Sequence, residues 1–197
     1  MANVKLSAAE LKLVLDANFI LTKNNIIAKV YDLFGNLSSF YIDNANKYAS
    51  IPEEVCRISP KISRGENQEG LPWVALDYPR FFSKEQDFSI RTFFWWGNFV
   101  SITLLLSGRY QQIYQPSILH FHQSVVSEHW FLCRHPNKWL HHFREDNYQS
   151  LSSFTPTEIV QLPFIKLAKK IPLQQWDHIE IEIKESFSTL LQLFKKG

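Results

Sequence analysis

The chain has 197 residues, 45% of them apolar and 20% charged, with a net charge of +2. That is enough for one domain, residues 1–197, with a sizeable core. The charge excess is too small to point to nucleic acid, and no run of like charges exceeds Lys169-Lys170 or Lys195-Lys196. Two cysteines without a CxxC exclude a disulfide framework, and no apolar run is long enough to span a bilayer. Lys5, Glu10 and Lys12 interrupt the first apolar stretch, so no signal peptide and a reducing cytoplasm are expected.

Ser7 precedes Ala8-Ala9-Glu10, a capping-box arrangement that predicts a short helix from Ala8 to about Asp16. From a second start at Thr22, Ile26, Ile27, Val30, Phe34, Leu37 and Tyr41 recur at helical spacing, which predicts a long helix from Lys23 to about Asn44. Gly35 inside it reads as a close-packing point. Pro52, Pro60, Gly65 and Gly70 make 51–70 a loop, with a short extended piece over 57–63. Leu71 to Pro79 reads as an apolar strand.

Phe88 to Phe94 and Phe99 to Leu106 read as two strands of a hairpin closed at Gly97-Asn98. A two-residue loop pairs Trp96 with Phe99; a four-residue loop pairs Phe94 with Phe99. Both put Phe93, Trp95, Val100, Ile102, Leu104 and Leu106 on one face, because the side-chain period is two. That face is the expected core. Phe94, Trp96, Phe99, Ser101 and Thr103 fall on the other.

Tyr114, Ile118, Phe121 and Val125 predict a helix from about Pro116 to Val126, with Pro116 in its first turn. Trp130 to Arg134 reads as a short strand. Pro136 then opens a helix whose Trp139, Leu140 and Phe143 share a face. The segment 150–157 is a polar loop, and Phe164 to Ile171 an edge strand. Trp176, Ile179, Ile183, Phe187, Leu190 and Phe194 form a helical stripe that Ile181 does not fit, whereas 178–184 also alternates like a strand. The longer stripe decides for a C-terminal helix. The expected fold is α+β: an antiparallel sheet around the central hairpin, packed by N-terminal and C-terminal helices.

The stretch from Lys61-Ile62-Ser63-Arg64-Gly65-Glu66-Asn67 through Leu71-Pro72-Trp73-Val74-Ala75-Leu76-Asp77-Tyr78-Pro79-Arg80-Phe81-Phe82, with the Phe-Phe-Trp-Trp-Gly-Asn hairpin, resembles a family of uncharacterised bacterial proteins. The resemblance covers the central quarter of the chain. It implies a single bacterial cytoplasmic domain and brings no activity with it.

Arg91 lies between Ser89 and Phe93 on the expected core face, where a guanidinium needs a partner or an open edge. Asp77, on the preceding strand, is the expected partner. Arg64, Glu66 and Arg80 flank it, so Arg64, Glu66, Asp77, Arg80 and Arg91 form one expected polar cluster. It is either a structural ion pair or an anion site walled by Trp73 or Tyr78. Six of the seven histidines fall between His120 and His142. A helix turns His120 and His122 about 200° apart, which forbids chelation by that pair. His142 reads instead as an ion-pair partner of Glu145 or Asp146, on a helical surface. Glu182-Ile183-Lys184 matches the end of a nuclease-type pattern, but only if it lies on a strand. Cys133 reads as a small buried hydrophobe.

The expected function is a non-enzymatic cytoplasmic binding or interaction domain, for a small anionic ligand or a protein partner, with no cofactor and no metal. A metal-dependent hydrolase or nuclease, using carboxylates or the histidine-rich segment, is the alternative.

Overall fold

The computed structural model describes residues 4–195. Among the described residues, six α-helices and a seven-stranded antiparallel sheet make an α+β fold. The strands are β1 (Lys61–Gln68), β2 (Leu71–Phe82), β3 (Asp87–Trp95), β4 (Phe99–Leu106), β5 (Phe131–Cys133), β6 (Tyr148–Ser150) and β7 (Ile165–Pro172), in the order β1-β2-β3-β4-β7-β5-β6. The helices are α1 (Ala8–Leu15), α2 (Ala17–Ala45), α3 (Glu53–Cys56), α4 (Arg109–His122), α5 (Pro156–Gln161) and α6 (Ile179–Gln192). No helix among the described residues is long and apolar enough to cross a membrane.

The central hairpin forms, but in neither expected register. Trp95 pairs with Phe99 and Phe94 with Val100, so the loop holds three residues, Trp96-Gly97-Asn98. Asn98 N–H closes the turn on the Trp95 carbonyl at 3.0 Å, and Gly97 takes a φ of 69°, a value glycine adopts without strain. An odd loop shifts the faces by one residue relative to both even loops. Phe88, Ile90, Thr92 and Phe94 therefore share a face with Val100, Ile102, Leu104 and Leu106. Phe93 and Trp95 turn to the other face with Arg91 and Phe99.

Both faces are covered. The first carries the main core, under α2, α4 and α6. Tyr41 of α2 stacks on Phe187 of α6 with ring centroids 3.7 Å apart, and its hydroxyl bonds Thr92 Oγ1 at 2.6 Å, satisfying the one polar side chain of β3 on this face. The second face is covered by the segment 134–147, a strap without regular structure. There Phe143 stacks on Tyr148 and meets Phe99 and Phe131 edge-on. Coverage on both sides is why every residue of β4 is buried.

Several elements differ from the sequence reading. α2 starts at Ala17 because the Asp16 carboxylate caps it, accepting from the Asn18 and Phe19 N–H groups. Gly35 is exposed with open space around it, so it is no packing point. β1 takes up much of the second half of the expected loop, 51–70: its backbone pairs with β2 although its only large apolar side chain is Ile62. α4 begins at Arg109 and holds Pro116 in its interior, on an exposed side where the released carbonyl can meet water. No helix follows Pro136, because Asn137 and Asn147 side chains bond the backbone of the strap and compete with helical hydrogen bonds. β6 and α5, neither of them expected, flank the polar loop and overlap it only at Ser150 and at Pro156 and Thr157. β7 is an interior strand between β4 and β5, not an edge.

Candidate functional site

The face of β2 and β3 under the strap carries the polar residues. Asp77 and Arg91 are direct partners across the two strands. Arg91 Nε donates to Asp77 Oδ1 at 2.7 Å and Nη2 to Oδ2 at 2.9 Å, a bidentate fork. The third guanidinium nitrogen of Arg91, Nη1, reaches His141 Nε2 at 3.1 Å. Guanidinium has no acceptor, so His141 accepts with Nε2 and carries its proton on Nδ1. His141 stacks on Phe93, 4.6 Å between centroids. Burial, with the charges of Lys166 and Arg91, holds its pKa well below 6.5.

A register shift between Asp77 and Arg80 brings Arg80 opposite Ser89 and onto the same face. Arg80 Nε donates to the Ser59 carbonyl at 3.0 Å. With Lys61, Ser63, Asp77, Phe82, Arg91 and Trp139 it lines a groove of about 240 Å³. Its apolar wall is Phe82 and Trp139, 5.9 Å apart, and not the expected Trp73 or Tyr78. Tyr78 turns to the opposite face, where its hydroxyl meets the Cys56 carbonyl, and Trp73 packs on Phe93.

The five expected site residues do not form one cluster. Arg64 and Glu66 alternate with Ser63 and Gly65 along β1, so they project to the helix-covered side. Glu66 pairs with Lys23 at 2.6 Å, and the Arg64 guanidinium lies 5.5 Å from the Tyr31 ring centre. They line a separate groove against α2.

Behind the Phe82–Trp139 pair lies a small chamber of about 20 Å³, lined by Ser89, Arg91, Thr103, Lys138, His141 and Lys166. It adjoins the groove through Phe82, Arg91 and Trp139, which line both. Three cations face it. Arg91 is matched by Asp77. Lys138 Nζ lies 2.5 Å from Asp87 Oδ2, and that buried carboxylate also accepts from Ser107 Oγ. Lys166 has no such match. It is 2% exposed, its ammonium donates to the Leu140 carbonyl, and it sits over the Tyr148 ring. Among the described residues no carboxylate pairs with it. Burial, with the nearby Arg91 charge, pushes its pKa down to about 8. Sequence reasoning missed Lys166. A lysine flanked by Ile165 and Leu167 reads as the solvent side of a strand, and only the strap makes that side interior.

The other candidates dissolve locally. Glu182 and Lys184 lie on α6, where they pair with Lys169 and Glu180, so the strand that the nuclease pattern needs is absent. His120 is exposed, whereas His122 bonds the Phe154 carbonyl at 2.7 Å. His142 Nδ1 stands 3.9 Å from Asp146, but in the strap and not on a helix. Cys133 is buried among Leu105, Tyr148 and Ala168. Among the described residues, no group of three His, Cys, Asp or Glu side chains is placed to hold a metal.

Comparison with protein-family models, curated proteins and solved structures returned no match.

Proposed function

We propose that this domain binds a small anionic ligand, a carboxylate or an oxyanion, at the groove beside Arg91. One oxygen of the ligand enters the chamber between Arg91 and Lys166, and the rest lies in the groove against Phe82 and Trp139, with Lys61 and Arg80 at its rim. The observation that carries this reading is Lys166: a buried ammonium facing a cavity with no carboxylate to balance it. An isolated buried charge is costly, so the site either sheds a proton or takes up a counter-charge. The chamber holds one water-sized group, which suits a single oxygen of a ligand rather than a whole one.

The test is thermal unfolding in chloride-free buffer at pH 7 against sulfate, phosphate and a series of short carboxylates. Binding to the folded state alone raises the melting temperature with ligand concentration. At least one of these anions is expected to raise it for the wild type and not for Lys166→Met. The Met variant is expected to be as stable as wild type without anion, since it removes an unmatched charge and keeps the volume. No stabilisation by any anion, or equal stabilisation of both proteins, overturns the reading.

A further inference from the structure

We infer that Lys166 captures a short oxo acid covalently: its Nζ condenses with the carbonyl carbon to an imine, while the carboxylate stays in the groove with Lys61 and Arg80. The inference rests on the anion site proposed above and names a ligand class for it. The oxygen that enters the chamber is then a carbonyl oxygen.

The chamber presents one amine and little else that attacks a carbonyl. Lys138 is tied to Asp87, and Arg91 to Asp77. Ser89 donates to Asp77, Thr103 bonds the Tyr148 side chain, and His141 Nε2 accepts from Arg91. Lys166 alone is without a counter-charge. Its one acceptor is the Leu140 carbonyl, a bond that a neutral amine keeps through one N–H while its lone pair stays free.

Two surroundings activate a lysine as a nucleophile, desolvation and a second cation nearby. Lys166 has both, being 2% exposed and sharing the chamber with Arg91. With its pKa pushed down to about 8, it is half neutral at pH 8. A lysine of ordinary pKa is neutral there in roughly one molecule in 250.

In the condensation, the C–N bond forms, the amine gives up two protons in all, and the carbonyl oxygen leaves with them as water. A chamber that excludes bulk water protects the imine from hydrolysis. At about 20 Å³ it admits a small carbonyl and no long chain. Phe82 and Trp139 line both the chamber and the groove and are 37% and 48% exposed, so neither is locked in the core and the passage between them can open.

Reductive trapping at pH 8 tests this. The whole chain is incubated with glyoxylate, pyruvate or neutral acetaldehyde and sodium cyanoborohydride, and labelled peptides are mapped by mass. Hydride turns the imine into a secondary amine, so the label adds the mass of the acid less one oxygen. Glyoxylate or pyruvate is expected to label Lys166 about tenfold faster than the exposed Lys61, sulfate to slow that labelling, and acetaldehyde to label Lys166 no faster than Lys61. Lys166→Met is expected to lose the fast label, and the wild-type map decides the question even if that variant does not fold. An unlabelled Lys166 in a protein that anions stabilise overturns this inference and leaves the anion site standing. Labelling of Lys166 that sulfate does not slow and acetaldehyde matches overturns both.

Discussion

At the scale of single residues, the pocket rests on how three cations are balanced. Arg91 holds Asp77 by a two-point fork in a site where the Asp77 side chain is 5% exposed. Removing one partner of such a pair leaves the other charged and buried. Arg91→Met is therefore expected to cost about 3–5 kcal/mol in chemical denaturation, and Arg91→Met/Asp77→Leu to recover most of it. A loss below about 1 kcal/mol would mean that water, not Arg91, satisfies Asp77. The pair itself was legible in the sequence, because an arginine amid Ser89, Ile90 and Phe93 demands a carboxylate and Asp77 is the nearest on the preceding strand. Lys166 was not legible. Its cost depends on what lies above the strand, and the strap above it shows in the sequence only as a helical spacing of Trp139, Leu140 and Phe143, which points to a helix and not to a cover.

At the scale of elements, the hairpin shows where pattern reading runs out. The segment 93–96 is aromatic at every position, so it can present a core side chain to either face. Register then rests on loop length alone, and a three-residue loop inverts the face of β3 relative to both even loops. β4 was read correctly, since its Val100, Ile102, Leu104 and Leu106 lie in the main core. Ile102 is fully buried there, and Ile102→Ala is expected to destabilise the fold by about 2–5 kcal/mol in urea titration. A loss under about half a kcal/mol would show that this face is solvent-exposed and the core misplaced, because losing the transfer free energy of a buried isoleucine costs more than that even without a cavity. β1 was missed for a different reason: Lys61-Ile62-Ser63-Arg64-Gly65-Glu66 lacks apolar alternation, and its pairing comes from the free backbone edge of β2. The misreading of β1 also merged Arg64 and Glu66 with the Arg91 site, because a loop has no faces and a strand does.

At the scale of the whole molecule, the sheet divides two kinds of chemistry. The helix side is a largely apolar core in which Thr92, the polar side chain of β3 on that face, is answered by Tyr41. The strap side mixes aromatics with Asp77, Arg91, Lys138, His141 and Lys166. It is there that a charge is left over. That division follows from the α+β layering, which the alternation of long helices and apolar strands foretold, but the cover on the second face did not show in the sequence.

The surplus charge makes the anion reading sensitive to pH in a defined direction. With a pKa pushed down to about 8, Lys166 is an ammonium below that pH and a neutral amine above it. Its titrating neighbours stay neutral across the same window. His141 is held well below 6.5, Cys133 is raised above 9.0 by burial, and Tyr148 is raised well above 10.0. Calorimetric titration of sulfate, whose own charge is constant over this range, tests the claim most directly. The wild type is expected to bind about tenfold more weakly at pH 9 than at pH 7, and Lys166→Met to bind weakly and equally at both. Sulfate affinity that is independent of pH in the wild type, or undiminished in Lys166→Met, would contradict an anion site built on this lysine.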